Sequence, residues 1–240
     1  MRYLDSLRFL FGTPNWLTNL LLMTLCLIIP VVGPIVLIGY LLEVFDSARS
    51  KPEPSGYPDF DFNRFVPYLT RGIWVFLVQL LVQVFIGLPM AFILGFGTAL
   101  VAALDEGRVT VFALLVLLPL GLILSIVLGM VLWAVTIFEG IRRGLDISGM
   151  LSFVREYLGK VWRETLGAIL FLVVAGWVLS LAGLALCCVG VYPVTSWLMF
   201  ANYHLMAQTY RLYLERGGTP PPEQEMGRPT RAPEPTFGPS

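Results

Sequence analysis

The stretch from Gly72 to Leu104 contains no Asp, Glu, Lys, Arg or His. About 20 apolar residues already span a bilayer as a helix, so this stretch is longer than one crossing requires. Within it a ladder runs at spacing four: Gln79, Gln83, Gly87, Ala91, Gly95, Ala99 and Ala103. Successive rungs are neighbours on a helix. Each step overshoots a full turn by about 40°, so the stripe winds slowly round the axis. Small residues so spaced let two membrane helices approach closely. The stretch therefore reads as the central packing helix of a polytopic membrane protein.

Composition points the same way. The chain is 57% hydrophobic and 13% charged, against about 25% charged in a soluble domain. Its formal net charge is zero, so a nucleic-acid partner is not expected. The lipid bilayer is the expected partner, with other membrane proteins or a second copy of the chain beside it. Cys26, Cys187 and Cys188 lie in or beside apolar runs, with neither a disulfide framework nor metal spacing. No A-x-A site follows the first apolar run, so a cleavable leader is not expected.

Met1 to Asn15 sets Arg2 and Arg8 among apolar residues and reads as an amphipathic lead on the membrane surface. Trp16 marks an interface. Trp16 to Leu42 is charge-free, but Pro30, Gly33 and Pro34 interrupt it. Proline removes a helical hydrogen bond and glycine loosens the turn. The run is either one kinked crossing or a re-entrant hairpin of two short helices. Residues 43–71 form a polar, proline-rich loop that ends on interfacial aromatics. A bend is expected at Pro89, and a tight polar turn at 105–108. Val109 to Phe138 is the next charge-free run, with Gly121, Ser125 and Gly129 at spacing four. In 139–164, Phe153, Val154, Tyr157, Leu158, Val161 and Trp162 share one face, which predicts an interfacial amphipathic helix. Thr165 to Tyr210 is too long for one crossing, and the turn signals at 187–193 divide it. The domain then ends near residue 216. Residues 217–240, rich in proline and without apolar periodicity, predict a disordered tail.

Lys and Arg concentrate on the cytoplasmic side of membrane proteins. Segments 43–71, 139–164 and 211–240 hold four, five and four of them; the opposite turns hold only Arg108. The hairpin reading also keeps Arg2 and Arg8 inside, so it is preferred. The expected architecture is an all-α transmembrane bundle. It has four full crossings, a broken N-terminal re-entrant hairpin and interfacial amphipathic helices, with both termini cytoplasmic.

Several positions resemble one prokaryotic membrane family, known only as domain of unknown function 4013. They are Phe11-Gly-Thr-Pro-Asn-Trp16, the run Ile29 to Tyr40, Pro58-Asp-Phe-Asp with Phe65 and Arg71-Gly72, Glu139-Gly140 with Phe153 and Tyr157-Leu158, and Tyr203 to Tyr213. The resemblance covers about residues 8 to 214 and implies a prokaryotic cytoplasmic-membrane location. It implies no activity. The long proline-rich tail departs from the family pattern.

Candidate sites are few. His204, the only histidine, shares a stripe with Gln208 and Arg211. It reads as a headgroup or substrate contact, or as a polar residue snorkelling at a helix end. Gln79 and Gln83 read as glue between helices or as a pore lining. Gly87, Ala91 and Gly95, with Gly121, Ser125 and Gly129, are the expected helix-packing residues. Asp59 and Asp61 sit in a proline-rich loop and read as solvated. No phosphate loop, nucleophile elbow or zinc motif occurs in the sequence. No catalytic residue, cofactor or metal is therefore expected. The reading that results is a non-enzymatic scaffold or modulator of other membrane components. The alternative is a transporter or channel for a small or lipid-like solute, against which stands the lack of a carboxylate within the apolar runs.

Overall fold

A computed structural model describes residues 1–50, 56–104, 108–142, 144, 146–185 and 190–222. The expected turns around 105–107 and 186–189, with Cys187 and Cys188, lie outside the described residues, as does the tail beyond 222. The described residues contain helices and no strand.

A short α1 (Tyr3–Arg8) and a 3-10 turn lead into α2 (Trp16–Ile28) and α3 (Val32–Ser50). Next come α4 (Phe65–Val82), a π-turn at Gln83–Gly87 and α5 (Leu88–Leu104). The last three are α6 (Arg108–Arg142), α7 (Ile147–Ala185) and α8 (Val191–Glu215). Each irregularity has a local cause. The π-turn precedes Pro89, which lacks an N–H and whose ring clashes with the carbonyl four residues back. The backbone of α7 leaves helical geometry at Val161 (φ −132°, ψ 23°). There the Thr165 hydroxyl donates to the Val161 carbonyl at 2.9 Å, a bond that bends helices. Between α2 and α3, Pro30 breaks the ladder and Val31 takes φ 65°.

The central helix is α3, not the Gly72–Leu104 stretch. Every residue from Ile35 to Leu42 is buried, with α2, α4 and α8 packed around it. The earlier expectation rested on apolarity, which lipid rewards as well as a core does. By contrast α5 packs chiefly on α6, and Phe85, Phe92, Ile93 and Phe96 are exposed. The two ends of the molecule therefore differ. One is a dense aromatic base; the other carries the α5–α6 pair.

Aromatic rings fill the base. Tyr40, Phe60 and Tyr68 meet with centroids 5.0–5.8 Å apart. Phe153, Tyr157 and Tyr213 do the same at 5.3–5.6 Å. The inner face of the expected amphipathic helix, Phe153, Tyr157 and Val161, thus packs into protein.

Among the described residues, three helical segments are long and apolar enough to cross a membrane: Phe62–Gly97, Leu115–Arg142 and Ile147–Leu184. α8 is not among them. It is enclosed by protein over Phe200, Ala201 and Tyr203 to Tyr210, so it tolerates polar residues that a lipid-facing helix would not. With the π-turn included, α4 and α5 cover residues 65–104, about 60 Å of helix. That is twice a hydrocarbon core of about 30 Å, so these helices extend past it.

Candidate functional site

Polar side chains gather at three stations along the bundle. The first ties the N-terminus to α8. Ser6 is fully buried. Its Oγ lies 3.0 Å from His204 Nδ1 and accepts from Gln208 Nε2 at 3.1 Å. The Arg2 backbone N–H donates to Gln208 Oε1 at 2.9 Å. Phe9 stacks on the His204 ring at 4.0 Å, and Trp197 Nε1 donates to the Leu7 carbonyl at 2.8 Å. His204 and Gln208 are therefore buried and partnered, which corrects the snorkelling reading. Arg211, the third member of that stripe, is half-buried one turn further on. The lead, Met1 to Asn15, also differs from the surface helix expected: Ser6, Phe9 and Leu10 are buried against protein.

The second station joins α2 to the loop after α3. Asn15 and Asn19 donate to the two Asp59 oxygens at 2.7 and 2.8 Å. Asn19 Oδ1 accepts the Phe60 N–H at 3.0 Å. Tyr57 donates to the Leu10 carbonyl at 2.6 Å. The Asn19 and Asn15 amides hold the Asp59 carboxyl below the ordinary carboxylate range. Asp59 is thus an anchor, not a merely solvated loop residue. Its network returns the chain after α3 to the level where α2 began.

A charged rim borders the base. Arg71 donates to Asp46 at 2.5 Å, Arg49 to the same carboxylate at 2.9 Å, and Arg64 grips Glu43 through both nitrogens at 2.7 and 2.8 Å. At the start of α7, Asp146 accepts the Gly149 N–H at 3.0 Å. That bond, with Arg142 beside it, keeps the Asp146 carboxyl low.

The third station lies higher. Gln79 Nε2 donates to Thr136 Oγ1 at 2.8 Å, linking α4 to α6. Gln83 instead folds along its own helix. A Cβ on Gly87 would stand 2.1 Å from Gln83 Oε1, so Gly87 makes room for that amide. Gln83, Gly87, Ala91 and Gly95 form one wall of a cleft of about 760 Å³, and Gly121, Ser125 and Gly129 belong to the other. The two small stripes face each other across open space. At Gly95 an added Cβ meets nothing within 4 Å. The close helix contact expected at that rung is absent. The last rung, Ala103, lies beyond the side chains described.

Glu139 corrects a further expectation. It falls within the Leu115–Arg142 segment, is 1% exposed, and neither carboxyl oxygen has a hydrogen-bond partner. A carboxylate is therefore buried in a helix able to cross a membrane, where none was expected. Its position beside Arg142 and the polar stretch that follows made it look like loop. Ser6, Asn15 and Asn19 escaped notice for another reason: single polar residues carry no spacing signal, and their partners lie far along the chain. No group of three or more His, Cys, Asp or Glu that could hold a metal occurs among the described residues.

These features define an all-helical protein with several helices suited to a membrane. The chain matches, over residues 22–188, the family described as protein of unknown function (DUF4013). It belongs to that family. No curated protein and no solved structure matches it.

Proposed function

We propose that this chain is a multi-pass protein of the prokaryotic cytoplasmic membrane that binds other membrane components and carries out no catalysis itself. The observation that supports this best is the α5–α6 cleft of about 760 Å³, walled in part by Gly, Ala and Ser. Small walls admit a helix closely, and close packing is what drives association between helices in lipid. The occupant is a transmembrane helix of a partner or of a second copy. In this reading the chain makes four full crossings, through α4–α5, α6, α7 and α8. The α2–α3 pair enters and leaves from the cytoplasmic side, with both termini inside. The Asn15–Asp59 bond and the Arg2–Gln208 bond support that topology, since they hold the N-terminus beside segments rich in Lys and Arg.

Photo-crosslinking from Ala91 and Ser125 in native membranes tests the cleft. Discrete products are expected from both, and none from the outward-facing Ile93 and Ile123. Equal yields inside and outside the cleft overturn the reading. For topology, single cysteines at the exposed positions Leu4 and Ser148 in a Cys-free background are expected to resist an impermeant thiol reagent in intact cells.

Glu139 favours a second reading, the transport of a small solute. Buried ionisable residues in membrane helices often mark solute or proton paths. Reconstituted vesicles that take up solute with the parent chain, and not with Glu139→Gln, would establish it in place of the first.

A further inference from the structure

A separate pocket of about 410 Å³ lies among α4, α6, α7 and α8. That is within the range of small-molecule sites and far above the volume of a single water, about 30 Å³. Its walls are chiefly Leu, Ile, Val and Met side chains, with Gln79, Thr136, Thr195 and Asn202 as its polar groups. Most of those groups are committed. Gln79 donates to Thr136. The Thr136 hydroxyl donates to the Leu132 carbonyl at 2.7 Å, and Thr195 to the Val191 carbonyl at 2.9 Å. What remains is Asn202, whose Oδ1 is buried without a hydrogen-bond partner. Native structures rarely leave such an acceptor unmet.

No charged side chain lines the pocket, so a charged headgroup would enter it unpaired at high cost. From this geometry we infer that the pocket binds a neutral amphiphile with a free hydroxyl, a long-chain alcohol or a diacylglycerol. The Asn202 amide turns its oxygen toward the pocket to accept from the hydroxyl, and the hydrocarbon lies along the apolar walls. A hydroxyl also accepts, so either orientation of the Asn202 amide is satisfied. The inference rests on the membrane reading above, not on the partner helix in the α5–α6 cleft.

The test uses the full chain in lipid nanodiscs and a photoactivatable long-chain alcohol, beside the same chain ending in a carboxylate. The alcohol is expected to label peptides of α6, α7 and α8 at the pocket, about tenfold more than the carboxylate, the scale of one buried hydrogen bond. Asn202→Leu is expected to reduce alcohol labelling about tenfold, and Asn202→Ser to restore part of it. Unlabelled dodecanol and a diacylglycerol compete separately. Competition by one assigns it as the ligand, and competition by both supports the shared chemistry. Equal labelling by the two probes overturns the inference without recourse to any variant, as does parental labelling of Asn202→Leu. Uniform labelling of lipid-facing helices would sink this site and leave the membrane reading standing. Recovery of the parent chain in the soluble fraction would sink the membrane reading itself.

Discussion

Gly39 and Gly72 stand against each other where α3 crosses α4. A Cβ on Gly39 would lie 1.9 Å from the Tyr68 carbonyl oxygen. One on Gly72 would lie 1.9 Å from the Ile35 carbonyl oxygen and 2.9 Å from the Gly39 nitrogen. These are backbone atoms and cannot swing aside as a side chain can. Close approach depends on glycine at this crossing, whereas at Gly95 of the spacing-four ladder an added Cβ meets nothing within 4 Å.

Gly39→Ala and Gly72→Ala should therefore destabilise the protein. Overpacking typically costs about 1–3 kcal/mol, which exceeds the helix propensity gained, about 1 kcal/mol. Gly95→Ala meets no neighbour and should keep or raise the melting temperature in detergent. Melting of all three variants decides it; a Gly39→Ala protein that melts with the parent would contradict the crossing.

Val31 sits in the left-handed region at φ 65°, unusual for a β-branched residue. Its side chain is 62% exposed, so little packing is lost on truncation. Val31→Gly should relieve strain of about 1–3 kcal/mol and raise the melting temperature, the reverse of the usual Val→Gly result. A loss of stability would mean that the turn is held some other way.

Asp59 provides a pH test. Its folded carboxyl titrates below its unfolded value. The stabilisation it contributes is therefore present above the unfolded value, about 3.9, and is lost as pH falls through the folded one. The parent should melt above Asp59→Asn at pH 7, and the two curves should converge below about pH 4. Because Asp59 is exposed, water screens the effect and the gap should be small. Curves that run parallel down to pH 3 would remove Asp59 from the network.

Ser6 satisfies two buried side chains of α8. Ser6→Val should leave Gln208 and His204 short of a partner, at a cost of about 1–3 kcal/mol. Hydrogen exchange should rise in α1 and in α8 around His204. Leu4→Ser, at an exposed position, serves as control and should change neither. Unchanged exchange in Ser6→Val would show that aromatic packing alone holds the N-terminus.

The class of this protein was legible in the sequence because hydrocarbon imposes a one-dimensional rule. A long stretch without charge can exist only where its solvent is lipid or protein, so 72–104, 109–138 and 165–210 read as helical runs suited to a membrane, and each overlaps a helix long and apolar enough to cross one. The breaks at Pro30 and near Pro89 were equally local, since proline alters the backbone wherever it falls. What apolarity cannot distinguish is lipid from protein as the neighbour. Only tertiary structure decided that α3 is enclosed while α5 is bare, although both are equally rich in large apolar side chains. The same limit hid the polar contacts. Ser6 with His204, Asn19 with Asp59 and Gln79 with Thr136 are hydrogen bonds between residues 40 to 198 positions apart. A hydrogen bond depends on distance and direction in space, and neither is written in the local pattern of the chain.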